Sequence, residues 1–437
     1  MKRRILLLVC ALATACGGGG SDGGGGPAPP AENDPAFVVS GAPAYLLAGD
    51  ALTPAVNELR LRVETPEGVS GVDVWIDGVL KGSLEVGDAA FLGAIDVGEL
   101  AIGGHDLVLA EPGADEGFAF YPFERGHAIY VLVTTDWDDA DNDDASLRLQ
   151  EMLHTNHPEL KLTHFVGPYT FTDAGVTPER RTILADWVKG MRDDHDDEIG
   201  LHIHAWCSFI STSGVPCRTT PSISNADGDE TGYSVIFSTY TEEELVQIFA
   251  RADEIFAEQG LGKPTSFRTG GWAAEANVLK ALVRSGFVAD TSAVNWARIE
   301  EWEQYEALGA QLYSWLMTHW TPQGDTNQPY YPGEADINQP GSPTIPILEV
   351  PDNGALVDYV SSDEMIQIFT ANYPGQGLPE PRQFSIGFHP PNFHTDATYF
   401  PRMDMVMTHL DGLLASEQRG GVVYATLSDM ATVWPVP

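Results

Sequence analysis

The alternation of apolar and polar residues changes character near residue 126 of this 437-residue chain. Between about 36 and 125 the apolar runs are short, and residues 58–64 alternate strictly between polar and apolar. The Asp77-Gly78 pair, a typical hairpin turn, follows the partly alternating run 72–76. Evenly spaced strands with glycine turns and no helical period favour a β-sandwich. We therefore predict an all-β accessory domain over residues 36–125 that serves as a spacer or binds carbohydrate.

From about residue 128 the apolar runs are followed by stretches with a helical period. The apolar runs predict strands at 128–133, 162–166, 198–204, 265–268, 287–290, 346–350, 384–388 and 422–425. The helical periods predict helices at 145–154, 178–192, 242–259, 274–285, 362–372 and 403–417. Alternating units of this length predict an α/β barrel with a parallel sheet over residues 126–437. In such a barrel, functional residues lie at the carboxyl ends of the strands.

One segment of the predicted barrel, residues 296–346, has little regular apolar pattern although it is rich in tryptophan and tyrosine. Long irregular segments in a barrel are usually functional loops. We predict that this segment covers the site and contributes to the choice of substrate.

The first 35 residues predict export. A basic start, residues 2–4, precedes an apolar stretch, 5–13, that is too short to span a bilayer. The run Ala-Thr-Ala-Cys that ends at Cys16 resembles a lipoprotein cleavage site, in which the cysteine becomes the acylated N-terminus. We therefore predict a signal peptide at 1–15, a flexible Gly-rich tether at 16–35, and a lipoprotein anchored to a membrane at the periplasmic face or the cell surface.

The charge and the cysteine content of the chain limit the molecules it can bind and the bonds it can form. The chain has 23 Lys and Arg against 63 Asp and Glu, a formal net charge of −40, and such a polyanion repels nucleic acid. Once the signal peptide is removed and Cys16 is acylated, only Cys207 and Cys217 remain as cysteines. In an oxidising compartment we expect them to form a disulfide, because two thiolates alone make a poor zinc site. The oligomeric state stays open.

Carboxylates and imidazoles follow two of the predicted strands. Asp136 and Asp138 come directly after an apolar run, where carboxylates are costly unless they meet a cation or water. Another predicted strand ends in His202 and His204, which project to the same side because residues two apart in a strand face the same way. Two adjacent neutral imidazoles are natural metal ligands. These four residues therefore predict a metal site at the carboxyl edge of the sheet.

Three further charged residues end predicted strands. Arg268 follows an apolar run and needs a carboxylate partner at the top of a barrel, for which Asp136 is the candidate. Asp290 ends the next strand, and His389 ends a late one immediately before Pro390-Pro391. A histidine held by such a turn suits a general acid.

Taken together, these motifs resemble the polysaccharide deacetylase (NodB-homology) family, carbohydrate esterase family 4. The resemblance covers about residues 128–430 and rests on Thr135-Asp136-Trp137-Asp138, the His202/His204 pair, Phe267-Arg268-Thr269-Gly270-Gly271-Trp272, the stretch through Asp290-Thr291-Ser292, and His389. It implies a distorted (β/α) barrel of the NodB type, and the β-sandwich before it resembles the Ig-like modules of secreted enzymes. Two departures indicate a divergent His-x-His subfamily. The histidine pair is closer than the usual four-residue spacing, and Trp137 separates the two acids.

The resemblance also implies roles. Asp136 would be the catalytic base, held by Arg268, and His389 the catalytic acid. Asp138, His202 and His204 would bind a divalent metal, with Asp139 as an alternative to Asp138.

Zinc suits this nitrogen and oxygen shell, and cobalt or nickel are alternatives. Trp206, Trp272 and Asp290 would contact the substrate, with packing as the alternative role of the two tryptophans. The expected reaction is removal of N-acetyl groups from a glycan. An O-acetyl esterase and an inactive glycan-binding surface lipoprotein stay open as alternatives.

Overall fold

The computed structural model describes residues 25–87, 89–138, 140, 143–223, 230–298, 306–321, 323–391 and 396–436, with only the backbone described at 306–310. Cys16, the predicted signal peptide and Asp139 lie outside these residues. Within them, no helix is both long enough and apolar enough to cross a membrane. Contacts divide the chain into two compact units, one with residues up to 40, 61–95 and 106–120, the other with 41–60, 96–105 and 121–437. The boundaries at 36 and 125 remain a prediction.

The first eight strands are β1 (Val38–Ser40), β2 (Tyr45–Leu47), β3 (Glu58–Glu64), β4 (Val72–Ile76), β5 (Val79–Val86), β6 (Phe91–Asp96), β7 (Gly103–Ala110) and β8 (Ala119–Gly126). Pairs β1–β3, β4–β5, β5–β6 and β4–β7 are antiparallel. The Asp77-Gly78 turn joins β4 to β5 with φ of 51° and 73°, the left-handed backbone that a tight hairpin requires. The predicted hairpin is therefore present, and the Ig-like topology stays a prediction.

The remaining strands are β9 (Ile129–Asp136), β10 (Leu162–Val166), β11 (Glu198–Ile203), β12 (Ser266–Thr269), β13 (Ala289–Asp290), β14 (Leu348–Glu349), β15 (Ala355–Leu356), β16 (Arg382–Phe388) and β17 (Val422–Tyr424). They form a sheet in the order β14-β13-β12-β11-β10-β9-β16-β15, with β17 also paired to β9. The pairs are parallel, as in β9–β10 and β9–β16. The predicted parallel α/β sheet is confirmed, and β15 is a strand that the apolar pattern did not indicate.

Helices connect the strands, as the alternating pattern predicts. They are α1 (Asp144–Asn156), α2 (Tyr169–Thr172), α3 (Pro178–His195), α4 (Cys207–Ile210), α5 (Glu242–Gln259), α6 (Ala276–Ser285), α7 (Glu306–His319), α8 (Ser362–Asn372), α9 (Tyr399–Asp411) and α10 (Leu427–Val433). Side-chain hydrogen bonds to the backbone determine where several helices begin. Helix α5, for example, begins at a capping box in which Thr241 accepts from the backbone N–H of Glu244 and the Glu244 side chain accepts from that of Thr241.

Helix α7 corrects one prediction. The segment 296–346 was expected to be an irregular loop, but 306–319 is helical. Most residues from 312 to 317 are apolar rather than only every third or fourth one, so the sequence lacks the single apolar stripe that reveals a surface helix.

The sheet curls so that distant strands meet at its carboxyl edge. In sheet order β12 lies three strands from β9. Neighbouring strands are about 4.8 Å apart, so a flat sheet would separate the two by about 14 Å. Nevertheless the Arg268 Nη1 atom on β12 lies 3.1 Å from Asp136 Oδ1 on β9. Side chains from nonadjacent strands therefore meet at this carboxyl edge.

Candidate metal centre

Three side chains that could hold a metal meet at the carboxyl edge of the sheet. Asp138 follows β9, His202 lies on β11, and His204 follows it. The Nε2 atoms of His202 and His204 lie 3.2 and 3.3 Å from Asp138 Oδ1. Among the described residues, these three offer ligand atoms that all lie within 4.8 Å of one another. Gly270 permits this packing, since a Cβ there would lie 2.5 Å from the His204 ring.

The hydrogen bonds of the two rings show which nitrogen faces Asp138. His202 Nδ1 lies 2.9 Å from the carbonyl oxygen of Arg268, and His204 Nδ1 lies 3.0 Å from that of Tyr233. A carbonyl oxygen only accepts, so each Nδ1 carries the proton and donates it. In neutral rings both Nε2 lone pairs then point at a carboxylate oxygen. Either a proton on Nε2 or a cation between the groups removes the repulsion between these lone pairs, and a divalent cation fits the donor set and the orientation.

Asp138 is held from two further sides. Tyr233 Oη donates to Asp138 Oδ2 over 2.9 Å, and Trp206 Nε1 donates to the Asp138 carbonyl oxygen over 2.9 Å. Without a metal, burial opposes ionisation of Asp138, but the charge of His204 and His389 in their protonated forms and a hydrogen bond from protonated His202 outweigh it. The pKa of Asp138 therefore lies well below its usual value, and the group is a carboxylate at neutral pH.

Asp136 is paired with a buried arginine. Arg268 Nη1 donates to Asp136 Oδ1 over 3.1 Å and to Thr134 Oγ1 over 2.8 Å. Arg268 Nη2 lies 3.5 Å from Asp352 Oδ2, and its Nε donates to the Thr291 carbonyl oxygen over 3.2 Å. Arg268 is 1% exposed, so its charge is balanced by two carboxylates and its N–H groups are directed by the fold. The guanidinium thus fixes the orientation of Asp136.

His389 lies on the other side of Asp138. Its Nε2 is 3.8 Å from Asp138 Oδ2, and its Nδ1 donates to Asp358 Oδ2 over 2.8 Å. Burial lowers the pKa of His389, but the carboxylates of Asp358 and Asp138 act in the opposite direction and raise it to about 10. The ring is thus able to carry a proton that faces the centre.

These groups surround one cavity of about 170 Å³. Its polar wall holds Asp136, Asp138, His202, His204 and His389. Five apolar or aromatic side chains also line the cavity, namely Ile223, Tyr233, Trp272, Leu312 and Tyr359. Leu312 lies on α7, so part of the segment predicted to cover the site does line the cavity.

The structure places the other predicted residues at different depths. Trp272 lines the cavity. Trp206 is not part of the lining and donates from Nε1 to the Asp138 carbonyl oxygen. Asp290 is 0% exposed and does not line the cavity; it accepts from the Ser292 backbone and hydroxyl at 3.1 and 3.0 Å. Cys207 and Cys217 form a disulfide.

Sequence reasoning missed Asp358, Asp352 and Tyr233. Asp352 and Asp358 flank the two-residue strand β15, and Tyr233 lies in a loop. Asp352 lies two residues beyond the predicted strand 346–350, so the strand-end rule offered a signal for it. Asp358 and Tyr233 follow no long apolar run, so the rule does not identify them.

Comparisons with known proteins gave matches among solved structures. No protein-family model and no curated protein matches the chain. A family 4 carbohydrate esterase from Streptomyces lividans, in complex with acetate, shares 12% identity over 70% of this chain and 97% of its own, with a TM-score of 0.35. Peptidoglycan deacetylase PdaC from Bacillus subtilis shares 13% identity over 70% and 92%, with a TM-score of 0.32. A 4-alpha-glucanotransferase from Thermococcus litoralis shares 10% over 69% and 40%, with a TM-score of 0.40. At these values the matches do not assign a function.

Proposed function

We propose that this protein is a metal-dependent hydrolase that removes N-acetyl groups from a glycan. One observation supports this most strongly. Two protonated Nδ1 atoms direct the Nε2 atoms of His202 and His204 at Asp138, between an arginine-bound Asp136 and an Asp358-bound His389. A candidate base and a candidate acid thus flank a candidate metal site, an arrangement suited to metal-assisted amide hydrolysis.

The residues take distinct roles in this proposal. Asp138, His202 and His204 would hold a divalent cation, with zinc favoured by the ligand set and cobalt or nickel as alternatives. When bound, the cation would supply Lewis acidity toward water and the acetyl oxygen.

Asp136 accepts a proton from the water that attacks the acetyl carbon. His389 donates a proton to the departing nitrogen as the C–N bond breaks, so the products are acetate and a free amine. Arg268 keeps Asp136 oriented toward the water, and Asp358 keeps the His389 ring oriented toward the leaving group.

The lining of the cavity supports a sugar as the substrate. Trp272 presents an aromatic ring beside the polar groups, and such rings stack on sugars. An acetylated glycan met outside the cytoplasm is also consistent with the proposed lipid anchor at Cys16 and the Cys207–Cys217 disulfide.

Acetate release tests the proposal directly. The purified full-length protein, stripped with a chelator and reloaded with zinc or cobalt, is offered a panel of N- and O-acetylated glycans. We expect metal-dependent acetate release with N-acetylated substrates preferred. Preference for O-acetylated substrates would replace the amidase by an esterase on the same residues. A protein that neither binds metal nor releases acetate would be a glycan-binding protein instead.

A further inference from the structure

Tyr233 contacts two of the three candidate metal ligands. Its hydroxyl donates to Asp138 Oδ2 over 2.9 Å, and its carbonyl oxygen accepts from His204 Nδ1 over 3.0 Å. Its ring stacks on the His204 ring, with centroids 4.1 Å apart and planes 18° apart. The Trp206 ring also contacts Tyr233, with ring centroids 4.9 Å apart. Trp206 Nε1 in turn donates to the Asp138 carbonyl oxygen. One residue outside the ligand set therefore constrains both a carboxylate and an imidazole.

The backbone around Tyr233 is held at several points. Cys207 N–H donates to the Thr231 carbonyl oxygen over 2.7 Å, beside the disulfide. Gly232 has a φ of +82°, and a Cβ there would lie 2.3 Å from the Ala205 carbonyl oxygen. On the far side, Ile223 N–H donates to the Ser234 carbonyl oxygen over 2.9 Å. The loop thus positions Tyr233 firmly, although it belongs to no helix or strand.

The two oxygens of Asp138 have different partners. Oδ1 lies 3.2 and 3.3 Å from the two histidine Nε2 atoms, whereas Oδ2 accepts the Tyr233 hydroxyl. If both oxygens bound the cation, the carboxylate would occupy one more coordination position. A hydrogen bond on Oδ2 favours binding through Oδ1 alone, which leaves that position for water or substrate.

We propose that Tyr233 is a positioning residue of the metal centre. Its hydroxyl restricts Asp138 to one metal-binding oxygen, and its carbonyl sets the tautomer and the ring orientation of His204. The inference rests on the metal centre of the proposed function. It names a residue that no ligand motif contains, and it predicts a defect in metal binding that is measurable without any substrate.

Tyr233→Phe is the decisive variant, because it removes only the hydroxyl and keeps the ring and the carbonyl. Outer-shell hydrogen bonds typically contribute 10- to 100-fold to metal affinity, so we expect zinc affinity to fall about tenfold or more. Competition with a chromophoric chelator measures that affinity. The visible absorption of bound Co²⁺ should also change, since it reports coordination number. Tyr233→Ala, which also removes the stacked ring, should bind more weakly still.

Tyr240→Phe is the matched control. Tyr240 is a buried tyrosine of the same region whose hydroxyl accepts from the Arg218 backbone N–H at 3.0 Å and contacts no ligand. Its variant should bind zinc like the wild type. Unfolding temperatures of the metal-free proteins establish that the folds are intact.

The outcomes separate the two proposals. A wild type that binds zinc, with Tyr233→Phe weakened and Tyr240→Phe unchanged, supports the positioning role. Equal zinc affinity and an equal Co²⁺ spectrum for Tyr233→Phe and wild type would overturn it and leave the metal centre standing. A wild type that binds neither metal would overturn the metal centre itself.

Discussion

Two aspartates near opposite ends of β11 are each contacted by a pair of histidines, yet the two clusters differ in kind. At the carboxyl end, Asp138 Oδ1 lies 3.2 and 3.3 Å from the Nε2 atoms of His202 and His204. At the amino end, Asp197 Oδ2 lies 3.0 and 2.9 Å from the Nε2 atoms of His154 and His164. The residue types and the distances are nearly the same.

The other ring nitrogen distinguishes them. The Nδ1 atoms of His154 and His164 are buried with no hydrogen-bond partner among the described residues, so their Nε2 atoms carry the protons and donate to Asp197. Asp197 Oδ1 also accepts from the Leu162 backbone N–H at 2.7 Å. Burial disfavours the charged form, but the hydrogen bonds from His154 and His164 outweigh it and lower the pKa of Asp197.

The comparison teaches that residue identity and spacing do not define a metal site. At Asp197 the carboxylate is stabilised by N–H donors inside the protein, and no cation is required. At Asp138 the backbone takes the ring protons, and Nε2 lone pairs face the carboxylate beside a cavity. The backbone carbonyls that accept from Nδ1 therefore distinguish a candidate metal site from a cluster in which the histidines donate to the carboxylate.

Replacing Asp138 or Asp197 by asparagine should give the largest difference between the two clusters. Asp138→Asn removes the negative ligand, so we expect stoichiometric metal binding to be lost and acetate release to fall on the order of 10³-fold or more. Asp197→Asn should keep both, because its side chain is remote from the cavity. Metal content and acetate release in parallel measure this. Loss of metal from Asp197→Asn alone would reverse the assignment of the two clusters.

Asp136→Asn separates base from ligand at the carboxyl end. A general base contributes about 10²- to 10⁴-fold, so acetate release should fall by that factor while zinc affinity stays near the wild-type value. Arg268 remains bound to Asp352 in this variant, which limits structural change. Competition titration and single-turnover kinetics make the comparison. A parallel loss of zinc would show that Asp136 is itself a ligand.

The sequence predicted which edge of the sheet carries the polar residues but not how deep each one lies. Carboxyl ends of parallel strands meet at one edge, so Asp136, His202 and Arg268 were identifiable from apolar runs alone. Asp290 obeys the same rule and was predicted to contact substrate, yet it is fully buried. Depth depends on how the sheet curls and on which loops cover it, and Tyr233 and Asp358 are brought in by such tertiary contacts. No local pattern encodes them.

Deleting the carboxylate at the amino end tests its role in stability. Asp197→Ala leaves three buried N–H donors without an acceptor, so we expect the free energy of unfolding to fall by about 3–5 kcal/mol. Asp404→Ala is the matched control. Asp404 contacts His157 at 3.2 Å with its side chain 35% exposed, and its loss should cost less than about 1 kcal/mol. Urea unfolding of metal-free protein measures both, and equal losses would contradict the buried-cluster interpretation.

The buried pair Asp290 and Glu349 shows a further way in which this fold accommodates carboxyl groups. Changing this pair has the smallest expected effect on stability. Asp290 and Glu349 are both fully buried, and Glu349 Oε1 accepts from the Ala293 backbone N–H at 2.8 Å. Burial raises the pKa of Asp290 to about 6, and burial and the charge of Asp290 raise that of Glu349 well above its usual value. A carboxyl group with a raised pKa holds its proton more readily, so we expect this buried pair to take up protons at a higher pH than it does in the unfolded chain.

The pH dependence of the free energy of unfolding in a Glu349→Gln variant tests this interpretation of the pair. Since the folded-state pKa of Asp290 exceeds that of the unfolded chain, the fold binds the proton more tightly, and this pair's contribution to stability rises as pH falls from about 7.5 to 5. The introduced glutamine amide would donate an N–H to Asp290 without titrating, so the variant should lose about 1–3 kcal/mol of that rise relative to wild type. Urea unfolding of both metal-free proteins at the two pH values isolates the pair, because Asp138 and Asp197 titrate identically in each. Parallel pH dependence of the two proteins would show that the pair takes up no proton in the fold over this range.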